Sequence, residues 1–308
     1  MNLVLGINNC FAVKRWPLPD EWAQIVGGEL DLRIVQHSLD LADLGGEDAA
    51  IERQARDVLE ACARVTVSVD SVFTGLAAYS TSMMLAPGSA ERRRGVDYWT
   101  RAIALAAALG ATAVGGHVGS LSRADADDPA RSAARWEELE RELEGLREIA
   151  ATRRVPALLV ENMACDREPS RMAQLHGLMR DADPRHSAVR LCLDVGHQCV
   201  PGTSGDERDP YAWLRRLGNQ SAVVHLQQTS ADGDGHWPFT AERNRAGRID
   251  APRVLEALAE SGAGDVSLIL EVIPAFEADD RVVLSELSET VDYWRQALAA
   301  FRGTDTVS

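Results

Sequence analysis

Short apolar runs recur along the chain, and stretches with the periodicity of amphipathic helices separate them. Each run has the length and the content of β-branched residues that are typical of a buried strand. Eight such runs occur, at 3–7, 32–39, 65–69, 112–117, 156–161, 189–194, 222–227 and 266–271. The pattern therefore predicts eight strands with a helical segment between successive strands.

The segments between the runs carry helix signals of their own. The segment 97–110 ends in Gly110, a typical residue at a helix C-terminus, and 127–154 places Glu and Arg near i, i+4 spacing. Two further helices are predicted at 253–262 and 285–301.

Regular alternation of strands and helices requires parallel strands joined by crossover connections. Eight such units in 308 residues predict an α/β fold, the (β/α)8 TIM barrel. We expect a single domain over 1–308, with 303–308 as a frayed tail. A doubly wound open sheet is the alternative, but the sequence lacks the G-x-G-x-x-G loop expected of its dinucleotide site.

The composition excludes several partners. The net charge of −15 argues against nucleic acid and against an anionic membrane surface, and no apolar run approaches the ~20 residues that span a bilayer. Five scattered cysteines without a C-x-x-C pair predict reduced thiols and a cytoplasmic location. The stretch MNLVLGINN lacks a basic n-region and is typical of a strand rather than of a signal peptide.

Four consecutive runs deliver a metal-binding residue type to the carboxyl end of their strand, which is where the chemistry of such barrels gathers. These residues are Glu161, Asp194, His225 and Glu271. A single Asp there is often a helix cap and a single His often a core residue, but glutamate caps poorly and is depleted in strands. Their common level in the barrel therefore predicts one functional site.

Three charged carboxylates and an imidazole are not stable side by side without a counter-ion, because the carboxylates repel one another. A divalent cation removes this repulsion. Oxygen-rich ligation with one nitrogen favours Mn²⁺, with Mg²⁺, Co²⁺ or Zn²⁺ as alternatives. Four protein ligands leave positions open on a six-coordinate ion, and two adjacent oxygens of a substrate can fill them. A small sugar or sugar phosphate is therefore the expected partner.

A cation that binds a carbonyl and the neighbouring hydroxyl acidifies the adjacent C–H bond, and a carboxylate within reach can remove that proton. Glu161 and Glu271 are the predicted acid/base pair, one on each face of the substrate. Return of the proton to the same carbon from the other face gives epimerisation. Return to the adjacent carbon gives aldose–ketose isomerisation, and the residues leave both reactions open.

The stretches LLVEN, LCLDVGH, VVHLQQT and LILEV resemble the xylose isomerase-like superfamily, and the resemblance extends over essentially the whole chain. That superfamily contains ketose 3-epimerases, sugar-phosphate isomerases and apurinic-site endonucleases. The resemblance implies that the four residues above bind the metal, that the two glutamates are catalytic and that His197 binds substrate. Members commonly pair as dimers, so a homodimer is expected from the resemblance alone.

Within the superfamily, GINNCFAVKRWP and the HLQQT…HWPF segment look like tetrulose-phosphate 3-epimerases, which implies an erythrulose phosphate as substrate. Substrate contacts are then expected from several residues near the strand ends, namely His117, His197, Gln227 and His236. Lys14, the single lysine among 32 basic residues, and Arg15 are expected to hold the phosphate. Trp237 and Phe239 are expected to shield the pocket from water.

A zinc-dependent apurinic-site endonuclease is a further interpretation, because that branch uses additional ligands. His117, His197, Asp234 and His236 are available for such a zinc cluster. The branch also expects a histidine at the third strand, where VTVSVDSVFTG has none, and the acidic charge disfavours DNA. A barrel that binds a sugar without turning it over is the remaining alternative.

Overall fold

The protein is described by a computed structural model that covers residues 1–305. Eight parallel strands pair in chain order, and the first also pairs with the last, which closes a barrel. The predicted (β/α)8 TIM barrel is therefore confirmed. The strands are β1 (Asn2–Asn8), β2 (Ile34–Ser38), β3 (Ser68–Phe73), β4 (Ala113–Gly116), β5 (Ala157–Glu161), β6 (Ala188–Asp194), β7 (Ser221–Leu226) and β8 (Asp265–Leu270).

Helices pack around the outside of the barrel, and several short ones lie in the connections. Proline follows the N-cap of several of them, where its missing N–H costs nothing. The helices are α1 (Pro19–Ala23), α2 (Asp48–Arg64), α3 (Ser89–Leu109), α4 (Arg123–Ala126), α5 (Pro129–Thr152), α6 (Met172–Leu178), α7 (Pro210–Leu217), α8 (Ala241–Ala246), α9 (Ala251–Glu260) and α10 (Asp280–Asp305).

The third strand lies later in the chain than the apolar run 65–69 predicts. Helix α2 extends to Arg64, and Thr66 then turns the chain with a left-handed backbone (φ 57°). The Val67 N–H still bonds to the Cys62 carbonyl, so the first half of the run completes the helix terminus. Valines that alternate with Thr66 and Ser68 cannot be told from a strand by periodicity alone, and here the hydrogen bonds at the helix terminus decide.

Two separate apolar cores hold the site in place. The larger core lies between the barrel and its helices, and the smaller one fills the inside of the barrel. Gly115 allows tight packing between β4 and β5, because a Cβ there would lie 2.0 Å from the Leu159 carbonyl oxygen. Beneath the C-terminal rim, the interior is filled by Phe73, Ala113, Ala157, Leu159, Ala188, Cys192, Val223 and Ile269.

The C-terminal tail was expected to fray from residue 303. Helix α10 is assigned up to Asp305, and residues 306–308 lie outside the described residues, so fraying of the tail stays a prediction. Within 1–305, none of the helices combines the length and the apolar character needed to cross a membrane.

Candidate metal centre and active site

The four predicted metal ligands meet at the C-terminal end of the barrel. Glu161 and Asp194 are the last residues of β5 and β6, His225 is the register partner of Asp194 on β7, and Glu271 directly follows β8. One ligand atom from each of the four lies within 4.8 Å of those of the other three. All four residues are buried. Parallel strands of a closed barrel end at one rim, which is why four distant sequence positions converge.

Three of these residues each aim an unpartnered polar atom at the same point. His225 Nδ1 lies 3.3 Å from Glu161 Oε1 and 2.9 Å from Glu271 Oε2, and none of these buried atoms has a hydrogen-bond partner among the described residues. Buried polar groups are nearly always satisfied, and facing carboxylates repel each other. The donor set therefore fits a divalent cation, and its three carboxylates with one imidazole suit Mn²⁺, Mg²⁺, Co²⁺ or Zn²⁺.

A polar network behind His225 sets the orientation of its ring. His225 Nε2 lies 2.6 Å from Gln36 Oε1, which also accepts from Asn8 Nδ2 at 2.8 Å. Gln36 Nε2 in turn donates to Ser71 Oγ at 3.0 Å. The amide oxygen of Gln36 can only accept, so His225 Nε2 carries the proton and Nδ1 presents its lone pair to the centre.

Each glutamate is held by one further side chain. Tyr79 donates its hydroxyl proton to Glu161 Oε2 at 2.6 Å, and Asn8 Nδ2 donates to Glu271 Oε1 at 3.2 Å. Burial raises the pKa of Tyr79 well above its ordinary value, and the neighbouring charge of Glu161 raises it further, so the hydroxyl stays a donor. Each carboxylate therefore keeps one oxygen fixed and one free.

A cavity of about 260 Å³ opens directly above the centre. It is roomy enough for a small sugar and combines apolar walls with a few polar groups, as small-molecule sites do. Among the described residues that line it, none is Lys or Arg. The lining is formed by Asn8, Cys10, Ser38, Thr74, Gly75, Leu76, Tyr79, Met163, Ala164, Cys165, Glu168, His197, Asp234, His236, Glu271 and Ile273.

Two of the residues predicted to bind substrate, His197 and His236, line this cavity. Both lie beside Asp234, with their Nε2 atoms 3.3 Å and 3.2 Å from its carboxylate oxygens. Burial lowers the pKa of His197, but the charges of Asp194 and Asp234 raise it by more, so it lies well above the ordinary value. Burial also lowers the pKa of His236, but the hydrogen bond to Asp234 and the charge of Glu271 raise it by more, to about 9.

Gln227 and His117 were predicted to contact substrate, but neither is among the lining residues. The Gln227 amide is bonded instead to Asp194 and Asp234. His117 lies behind Tyr79, with Nε2 3.1 Å from the Thr81 carbonyl oxygen. Both side chains thus support the wall of the site from behind.

The expected shield of the pocket also differs from the structure. Phe239 is fully buried, stacks on Tyr293 at 5.5 Å and packs edge-on against Trp294 at 5.3 Å, on the outer side of the barrel. Trp237 lies under the guanidinium of Arg243. Neither aromatic side chain lines the cavity. Phe239 belongs to the outer core instead, because the loop after β7 runs outward beyond His236.

Lys14 and Arg15, the two residues predicted to hold a phosphate, have different surroundings in the structure. Arg15 donates to the carbonyls of Ala275 and Phe276 and forms an ion pair with Asp280, so its guanidinium ties the β1 loop to the segment after β8. That occupation contradicts a phosphate role for Arg15. Lys14 is exposed, and its Nζ lies 4.2 Å from the ring centre of Phe276. It lines a neighbouring surface hollow that shares Leu76 with the cavity.

Several residues of the site were missed in the sequence, among them Gln36, Tyr79 and Glu168. Gln36 lies inside a predicted strand, but its role depends on contacts made across the barrel. Tyr79 lies in a single 3-10 turn, Ala78–Ser80, which is too short to give a periodic signal in the sequence. Glu168, in the loop after β5, is buried at the cavity wall, and desolvation raises its pKa to about 7. A polar residue within a predicted buried strand, as Gln36 is, could have served as the signal for a role inside the barrel.

Comparisons with known proteins agree with this architecture. The model of the xylose isomerase-like TIM barrel family matches residues 70–302. A D-erythrulose 1-phosphate 3-epimerase of Brucella abortus (strain 2308) is 30% identical over 302 residues, which cover 96% of this chain and 96% of the relative.

Solved structures give the same result. One from Rhodospirillum rubrum ATCC 11170, provisionally assigned as a xylose isomerase, superposes with a TM-score of 0.87 at 32% identity, covering 96% of this chain and 99% of that one. A D-psicose 3-epimerase from Clostridium cellulolyticum H10, solved with D-tagatose, has a TM-score of 0.70 at 15% identity over 96% and 99% of the two chains, and shows the shared fold alone. The chain thus belongs to the xylose isomerase-like TIM barrel family.

Proposed function

We propose that this protein is a divalent-metal-dependent 3-epimerase of a ketose phosphate, with a substrate of the erythrulose 1-phosphate type. At the coarser level the chain is an enzyme of the isomerase class. The observation that carries the finer proposal is the pair of buried glutamates, Glu161 and Glu271, whose free oxygens face the same imidazole nitrogen from two strands.

The residues that would hold the ion are Glu161, Asp194, His225 and Glu271. When bound, a divalent cation supplies Lewis-acid polarisation of a ketose carbonyl, which acidifies the neighbouring C–H. Glu161 and Glu271 are then the groups that move the proton. One carboxylate removes it from C3 and the other returns it from the opposite face. Tyr79 and Asn8 keep the two carboxylates apart and correctly turned.

The rest of the cavity orients the substrate and excludes water. Glu168, with a pKa of about 7, can accept from or donate to a sugar hydroxyl at neutral pH. His197 Nδ1 is fixed by the Asn162 carbonyl at 2.6 Å, which leaves its other nitrogen facing the cavity side. Apolar groups such as Met163 and Ile273 complete the lining. Burial of the reacting groups strengthens their electrostatic interactions.

A phosphorylated substrate is supported by the 30% identical relative. No Lys or Arg is among the described residues that line the cavity, and its two histidines with raised pKa, His197 and His236, already face Asp234, so we place the phosphate at the cavity edge. Lys14 is suited to hold it there, because its hollow joins the cavity at Leu76 and its ammonium is not used in an ion pair among the described residues.

The test is turnover of erythrulose 1-phosphate in D₂O with added Mn²⁺, followed by NMR. We expect inversion at C3 and deuterium at C3 alone. Formation of an aldose would favour aldose–ketose isomerisation instead, an alternative that the structural similarity to the Rhodospirillum rubrum chain keeps relevant. A lack of turnover across ketoses and their 1-phosphates would reject catalysis of this kind.

The phosphate position is tested by Lys14→Met, with Arg53→Met on the exposed face of α2 as the matched control. We expect a loss of roughly 10-fold or more in kcat/KM for the phosphorylated substrate and little change for free erythrulose, because one charge-assisted contact is removed. Equal losses for the two substrates would reject a phosphate role for Lys14.

A further inference from the structure

A second cluster of metal-binding groups adjoins the four-residue centre and shares Asp194 with it. Ligand atoms of Asp194, His197 and His236 lie within 4.8 Å of one another. Asp234 joins them, at 3.3 Å from His197 Nε2 and 3.2 Å from His236 Nε2. Two carboxylates and two imidazoles are a donor set for a divalent cation, and Asp194 is placed to bridge the two positions.

Both histidines of the second cluster have the orientation usual for metal-binding histidines, in which one ring nitrogen donates to a backbone carbonyl and the other faces the site. His197 Nδ1 lies 2.6 Å from the Asn162 carbonyl oxygen, and His236 Nδ1 lies 3.3 Å from the Glu271 carbonyl oxygen. A carbonyl can only accept, so it fixes the proton on Nδ1 and directs Nε2 to the carboxylates. The backbone thus orients both rings towards one point.

The amide of Gln227 occupies that point. Its Nε2 atom lies 3.1 Å from both carboxylate oxygens of Asp194, 2.8 Å from Asp234 Oδ1 and 3.3 Å from His236 Nε2. A primary amide has two N–H donors, which can satisfy two carboxylates without adding a formal charge. The amide nitrogen therefore stands where a second cation would have to bind.

The amide is also fixed in this position. Gln227 is fully buried, and its Oε1 accepts from the His236 backbone N–H at 2.6 Å. Its side chain lies tightly against Gly196, since a Cβ at Gly196 would be 2.4 Å from Gln227 Cδ. Close packing on one side and a hydrogen bond on the other prevent the amide from swinging away.

We propose that Gln227 sets the number of metal ions at this site. Its amide takes the place of a second cation, so the chain binds one ion. Shortening this side chain opens a second position, which Asp194 shares with the first. The inference rests on the metal centre of the proposed function. It assigns to Gln227 a role in excluding a metal rather than in contacting substrate.

The experiment counts ions on the whole protein. Wild type and Gln227→Ala are stripped with chelator, dialysed against Mn²⁺, and measured by inductively coupled plasma mass spectrometry, calorimetric titration and Mn²⁺ electron paramagnetic resonance. We expect one ion per chain in wild type and two in Gln227→Ala, with the isolated six-line Mn²⁺ signal altered by coupling through Asp194. The double variant Gln227→Ala/Asp234→Asn should return to one, because it loses a ligand of the second position alone.

Each result decides a separate question. Two ions in wild type would overturn the role of Gln227 even if the variant failed to fold, and one ion in a folded Gln227→Ala would overturn it as well. No ion in wild type would contradict the metal centre of the proposed function instead. Circular dichroism melting curves identify an unfolded variant.

Discussion

Gln36 Oε1 lies 2.6 Å from His225 Nε2, and this contact leaves Nδ1 as the ring nitrogen that faces Glu161 and Glu271. The amide cannot be turned over, because its nitrogen would then face the Asn8 amide nitrogen, which is a donor. The tautomer of His225 on β7 is therefore determined by a residue on β2, with β8 and β1 lying between the two strands in the closed barrel.

Replacement of Gln36 by methionine, which preserves volume but cannot accept, should weaken Mn²⁺ binding by roughly 10- to 100-fold. Isothermal titration measures the affinity. Ser71→Ala, which removes the outer hydrogen bond of Gln36 together with the bond from the Ser71 hydroxyl to Asp70, is the matched control and should change affinity much less. An unchanged affinity in Gln36→Met would show that the ring holds its orientation without the amide.

Glu161→Gln and Glu271→Gln should each lower turnover by roughly 10³-fold or more, because a positioned acid or base contributes about 10²–10⁴-fold and each glutamate is also a proposed ligand. Turnover is followed by NMR, the fold by circular dichroism and the ion content by mass spectrometry. Since the amide is nearly isosteric, both variants should fold. A folded variant with wild-type turnover would rule out the proton-transfer role of that glutamate.

Tyr79→Phe should reduce kcat by about 10-fold, because a hydrogen bond to a charged group contributes about 1.5–3 kcal/mol. Without the 2.6 Å contact, Glu161 loses the group that fixes one of its oxygens. Tyr98→Phe, on the outer helix α3, serves as the control for loss of a hydroxyl. If both variants keep full kcat, Tyr79 does not position Glu161.

Glu168 should make stability depend on pH in the metal-free protein. Desolvation raises its pKa from 4.5 to about 7, so the folded state binds the proton more tightly than the unfolded state in that window. Stability should therefore fall as pH rises from 4.5 to 7.

Glu168→Gln removes this titration, so the variant should be more stable than wild type at pH 8, by about 2 kcal/mol after allowance for solvent screening, and the difference should vanish at pH 4. Urea unfolding at both pH values measures it. A constant difference would mean that the carboxyl group titrates normally.

The fold and the four residues of the centre could be predicted from the sequence, because buried parallel strands have continuous apolar sequences. The closed barrel and the convergence of Glu161, Asp194, His225 and Glu271 follow from that pattern together with the common rim at which parallel strands end. The boundary of β3 could not be predicted, because the helix terminus and the strand there use the same residue types.

The supporting residues escaped prediction for another physical reason. Contacts such as Gln36 with His225 and Tyr79 with Glu161 join residues far apart in the chain, and nothing in the local pattern indicates them. Lys14 and Arg15 show the converse, since neighbours with the same charge have different roles: Arg15 binds the carbonyls after β8, while Lys14 remains exposed.

The apolar filling of the barrel beneath the four acidic and imidazole groups closes that end of the molecule. Phe73 packs edge-on under His225 at 4.5 Å, and Leu159 and Ile269 are fully buried below. An ion bound above this apolar layer would have to leave through the cavity opening by which the sugar enters. Saturation with the sugar should therefore slow the removal of the ion by a chelator, relative to the substrate-free enzyme.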